Sequence, residues 1–213
     1  MKRTIIDINN WERKEIFQYF NKFQNPYGGL TAPVDVTQVY NDAYLNHRSF
    51  YLTMLHHILT IINHEEDMEC FRMRTEGDDV VVYDKLNVGP TYLRKDKTVA
   101  FTFYEYFEDI DKFISEARRK EEAAQHTTGL NYMAENDSPN LLFFTCVPWI
   151  SFTQIIEPKF SSTDSAPHIS TGKYYWKEKD SLMMPVSVCL HHGFGDGYHI
   201  SKFLNLLSEY HPL

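Results

Sequence analysis

"VCLHHGFGDGYH", residues 188–199, leaves an apolar run, crosses two adjacent histidines and a glycine-spaced turn, and enters a helical pattern. Upstream, "HISTGKYYWK" and "SLMMPVSVCLHH" flank "EKD" and predict a hairpin whose second strand ends at the histidines. Downstream, "DGYHISKFLNLLSEY" spaces Ile200, Phe203, Leu204 and Leu207 as one buried helical face. The stretch is therefore a strand-to-helix junction, a place where side chains and helix amides converge on a cleft.

The rest of the chain fills in around it. "NNWERKEIFQYFNKF" predicts a helix opened by an approximate Asn9–Glu12 capping box and ended by "NPYGG". "LTAPVDVT" predicts a short strand, with Pro33 placing it at an edge or bulge. Residues 49–64 predict a buried helix, "CFRMR" and "VVVYD" a hairpin, and "TVAFTFYEYF" a strand. "EDIDKFISEARRKEEAAQH" predicts an amphipathic helix, and "NLLFFTCVPWISF" a central strand broken near Pro148. Strands and helices mix without strict alternation, so the fold class is α/β of the α+β type. The expected form is a two-layer sandwich of one mixed sheet packed with helices.

A chain of 213 residues can bury a sizeable core without a disulfide or metal staple, and 1–213 reads as a single domain. A formal charge of -8 argues against a nucleic-acid partner. Cys70, Cys146 and Cys189 stand far apart without metal-type spacing, as reduced thiols do. With no signal-like or membrane-length apolar run, no membrane partner and a cytoplasmic location are expected.

Three readings of the junction compete. It could be a polar turn that satisfies itself, since most histidines do nothing chemical. His56 and His57, His64 and His168 read that way. It could be a metal site of His192, Asp196 and His199, but Gly193, Gly195 and Gly197 imply a turn rather than a helical platform. A general base fits better, because a neutral imidazole can accept a hydroxyl proton.

Segments elsewhere bear on this choice. "NWERKEIF", "VPWISF", "APHISTGKYY" and "LMMPVSVCLHHGFGDGYHISKFLNLL", in this order, resemble the type A chloramphenicol acetyltransferases over nearly the whole chain. Catalytic domains of dihydrolipoyl acyltransferases share the H-x-x-x-D-G core, but their lipoyl domains and linkers have no counterpart here. The resemblance implies the CoA-dependent acyltransferase fold. It also implies acetyl-CoA as co-substrate, no metal, and a homotrimer with active sites between subunits.

By the same resemblance, His192 is the base, its ring held by a hydrogen bond to its own carbonyl. Asp196 pairs with Arg13 as an architectural ion pair. Thr145 supplies the oxyanion hydroxyl, where the family normally has serine. Ser170, with Thr171 as the neighbouring alternative, would hold a water near the transition state. Lys173, Tyr174 and Trp149 would contact coenzyme A. Ser49 stands where the family has a second coenzyme lysine. Tyr19, Phe20, Val99 and Phe101 would wall the acceptor pocket, with Gly28 in place of an expected aromatic wall.

The implied function is direct acetyl transfer to a chloramphenicol hydroxyl in a ternary complex. The alternatives are another hydroxylated small molecule as acceptor, a catalytically impaired trimeric binding protein, or a metalloenzyme.

Overall fold

Leu52, Leu55, Ile58, Leu59 and Ile62 are almost wholly buried, which centres the molecule on a single helix. The computed structural model describes residues 2–131, 134–158 and 164–210. The first elements are β1 (Arg3–Ile5), α1 (Lys14–Phe20), β2 (Tyr27–Asp35), α2 (Thr37–Leu45) and the central α3 (Phe50–His64). Next come α4 (Glu69–Arg72), β3 (Met73–Glu76), β4 (Asp79–Tyr83), β5 (Asn87–Leu93), β6 (Val99–Phe101) and α5 (Ile110–Gln125). The remainder is β7 (Leu141–Val147), β8 (His168–Gly172), β9 (Tyr175–Glu178), β10 (Ser181–His191) and α6 (Gly197–Ser208).

Seven strands form one sheet in the order β2-β10-β8-β7-β5-β6, with β9 also paired to β10. The β5–β7 and β7–β8 pairs are parallel and the others antiparallel, so the sheet is mixed. Helix α3 lies against the face that carries Phe144, the ring of Tyr51 sitting 6.0 Å from it. Ile200, Phe203, Leu204 and Leu207 of α6 are buried as their spacing predicts. Each such side chain contributes about 1.5–3 kcal/mol.

Four local expectations need correction. The first helix starts at Lys14, with Arg13 at its N-cap and no side-chain cap. Asp7 instead takes the Asn9 N–H at 3.0 Å and Asn10 Nδ2 at 2.7 Å, holding that segment as a turn. Strand β2 begins earlier than expected, at Tyr27, and runs nine residues along the sheet edge, with Pro33 facing Pro185. Cys70–Arg72 is helical, and the β3–β4 hairpin joins β1 in a separate three-stranded sheet. "TVAFTFYEYF" pairs as a strand only over Val99–Phe101. The Thr102 N–H and hydroxyl both turn to the Pro90 carbonyl, ending the regular ladder. Ser49 caps α3 by accepting the Leu52 N–H.

Candidate active site

His192 follows the last residue of β10, and its N–H donates to the Pro26 carbonyl at 2.8 Å. Its imidazole stacks on Phe20 with centroids 4.1 Å apart and planes 9° from parallel. Gly28 borders the ring on β2, where a Cβ would lie 3.0 Å from His192 Cδ2. Phe20 and Gly28 therefore set the orientation of the ring. The expected bond from the ring to its own carbonyl is not made. Nδ1 is buried without a hydrogen-bond partner among the described residues, and the carbonyl accepts from Arg13 Nη2 at 3.2 Å.

Arg13 holds the whole turn. Its Nε donates to the Gly193 carbonyl at 3.1 Å and its Nη1 to Asp196 Oδ2 at 3.0 Å. A planar fork of donors suits this task better than a point charge. Asp196 also caps α6, accepting the Tyr198 N–H at 3.1 Å. His199 Nδ1 sits 3.0 Å from Asp196 Oδ1. Burial would raise the Asp196 carboxyl, but hydrogen bonds from His199 and Arg13 outweigh it and hold it at about 2.

His191 points the other way, into protein. Its ring stacks on Phe194 and its Nδ1 accepts the Gly193 N–H at 3.1 Å. A Cβ on Gly193 would meet Phe17 at 2.9 Å and the His191 ring at 3.0 Å, so this turn needs glycine. Burial first, and then the neighbouring His192, push the His191 pKa down to about 4. Its unfolded value is about 6.5, so the unfolded chain binds the extra proton first as pH falls. Stability is therefore complete above about 6.5 and is expected to drop progressively towards pH 4. Urea midpoints measured at steps across this window check the expectation. A flat profile contradicts a buried, neutral His191.

Thr145 lies elsewhere. Register aligns Thr145 with Ser170, and Ser170 with Ser187 on β10. His192 is five residues past Ser187, roughly 16 Å along the strand and about 10 Å across two strand spacings from Thr145. One chain thus keeps the imidazole and the hydroxyl apart. Thr145 lines a cavity of about 390 Å³ together with Thr91, Phe101, Phe143, Glu157 and His168. Phe101 is among its walls. Val99 is 43% exposed and not among them. Tyr19 is exposed, and its ring meets Phe20 edge-on at 5.2 Å, on the His192 side.

A second cavity, of about 310 Å³, opens between α3 and the sheet, lined by Phe50, Tyr51, Cys146, Thr171, Lys173 and Tyr174. Alternation along β8 turns Thr171 towards it and Ser170 to the Thr145 face. Ser170 Oγ donates to Glu157. Tyr174 packs edge-on against Phe50 at 5.5 Å and Tyr40 at 5.8 Å. Trp149 is 67% exposed and lies outside both cavities.

Two residues passed over in the sequence reading belong to the Thr145 cavity: His168, assigned there a structural or solvent role, and Glu157. The alternation of "HISTG" carried the signal for the first, since it puts His168 on the face of Ser170.

A mixed sheet backed by helices, with this histidine junction, defines the CoA-dependent acyltransferase fold. A solved structure described as a probable dihydrolipoamide acetyltransferase from Listeria monocytogenes 4b F2365 matches with a TM-score of 0.67 at 12% identity, covering 94% of this chain and 91% of that one. That likeness concerns the fold alone.

The family model described as chloramphenicol acetyltransferase matches residues 1–208, and the chain belongs to that family of acetyltransferases. A chloramphenicol acetyltransferase of Clostridium perfringens is 30% identical, over 98% of this chain and 94% of its own length. The Proteus mirabilis enzyme is 27% identical over 97% and 93% respectively. A solved chloramphenicol acetyltransferase superposes with a TM-score of 0.87 at 31% identity, covering 98% of this chain and 99% of that one.

Proposed function

We propose that the protein transfers the acetyl group of acetyl-CoA directly to a hydroxyl of chloramphenicol. The observation that carries this reading is the held imidazole: His192 stacked on Phe20 beside Gly28, with Arg13 and Asp196 bracing the turn. Nδ1 is the buried ring nitrogen, which leaves Nε2 to meet the acceptor. As base, Nε2 takes the hydroxyl proton while the oxygen attacks the thioester carbonyl. Thr145 donates to the resulting oxyanion. Its collapse breaks the C–S bond, and the departing thiolate recovers the proton from His192. Proton transfer by a positioned base contributes roughly 100- to 10,000-fold.

The separation of His192 from Thr145 favours a site built between subunits, the base of one chain facing the cavity of the next, as a homotrimer allows. Lys173 and Tyr174, just past the end of β8, would contact coenzyme A, with Trp149 as a further contact and Ser170 on the reaction side. No metal is required, because the imidazole and the hydroxyl supply the acid–base and oxyanion chemistry. The test is thiol release from acetyl-CoA in the presence of chloramphenicol. Chloramphenicol-dependent release with an O-acetylated product is expected. Release that is independent of any alcohol contradicts the reading.

A further inference from the structure

Aromatic rings gather just past the end of β8, where Lys173 and Tyr174 lead into β9. Tyr40 of α2 is their hub. Its ring lies 5.7 Å from Phe50, 5.8 Å from Tyr174 and 6.2 Å from Trp176, steeply inclined to each. Strand alternation accounts for the pairing: Tyr174 and Trp176 fall on one side of the chain, and Tyr175 and Lys177 on the other.

Core packing does not account for Trp176. Among the described residues β9 pairs only with β10, and every residue of β9 is exposed. Trp176 itself is 54% exposed, and Tyr174 beside it is 39% exposed. An indole is a large apolar group that a core would bury, and contiguous exposed rings edged by polar groups mark a binding surface.

The polar neighbours narrow the ligand. Lys173 is exposed directly before Tyr174, its backbone held by N–H donation to the Ile150 carbonyl at 2.8 Å. Arg48 and Ser49, which lead into Phe50, are engaged locally. Arg48 pairs with Asp42 and Asp111, and the Ser49 side chain accepts the Leu52 N–H. A ligand arriving here therefore meets rings first, with a lysine at their edge. Rings beside a cation match a nucleotide, whose base stacks while its phosphate pairs with the ammonium.

We infer that Trp176, braced by Tyr40, is a stacking platform for the adenine of the acyl donor and a specificity residue for the nucleotide end of coenzyme A. The inference rests on the acetyl-transfer reading above and adds both residues to those set against the coenzyme. The thioester lies at the far end of the donor, so the chemical step is the same with or without the platform.

The test compares acetyl-CoA with S-acetylpantetheine, which carries the same thioester without the nucleotide, using chloramphenicol as acceptor. Trp176→Ala should raise the KM for acetyl-CoA by about tenfold, the effect of one lost base–aromatic stack. The KM values for S-acetylpantetheine and chloramphenicol should stay as in the parent, and Trp176→Phe should recover most of the loss. An unchanged KM for acetyl-CoA, or an equal rise with both thioesters, overturns the platform. Calorimetry with coenzyme A decides independently of turnover. A parent that binds coenzyme A about tenfold more tightly than Trp176→Ala, yet acetylates nothing, upholds the platform and overturns the acetyl-transfer reading. A parent that does not bind coenzyme A overturns both.

Discussion

His192→Ala is expected to lower chloramphenicol acetylation by roughly 100- to 10,000-fold with the fold retained. The ring is half-buried at the end of β10 and packs on Phe20. Its removal therefore uncovers one aromatic face but opens no central cavity. A melting temperature close to the parent's, with kcat collapsed, separates loss of a base from loss of structure. His192→Gln is the sharper control, because it keeps bulk and hydrogen bonding but cannot cycle a proton at neutral pH. If either variant keeps comparable turnover, the imidazole has no part in the chemistry.

Thr145→Val carries the second large effect. The replacement keeps the shape and the β-branched stiffness of the strand and deletes only the hydroxyl. A preorganised oxyanion donor contributes about 2.7–4 kcal/mol, so kcat should fall by roughly 100- to 1,000-fold with KM little changed. Thr145→Ser restores the hydroxyl without the methyl and should recover most of that loss. A rise in KM at constant kcat would instead make Thr145 a binding residue for the ground state.

How far the sequence led differs from place to place. The run from Ser181 to Ser208 was legible, because period-two and period-3.6 patterns meet at a glycine turn and each pattern is long. The helix Phe50–His64 was legible for the same reason. Strand β5 escaped, since Gly89 and Pro90 interrupt any alternation in "NVGPTYL". The start of α1 was misplaced, because Asp7 captured the backbone that Asn9 would have capped. Proximity in sequence gave Arg13 no link to the histidine turn. Only the family resemblance joined them, and the hydrogen bonds show the guanidinium reaching three groups of that turn.

The approach of Glu157 and Asp164 to His168 was invisible for a different reason. Glu157 and Asp164 approach from the segment between β7 and β8, and His168 opens β8 itself. Local patterning holds no information about such convergence. The same holds for the distance between His192 and Thr145, which emerges only from the pairing of three strands.

That distance makes one measurement the most direct test of the shared site. His192→Ala and Thr145→Val chains, each nearly inactive alone, are co-expressed and the mixed oligomers assayed. With random assembly, each interfacial site draws an intact base from one chain and an intact hydroxyl from the next in about one case in four. Recovery of about a quarter of parental activity is the predicted result. Activity no higher than that of the separate variants, in oligomers shown to contain both chains, would contradict it.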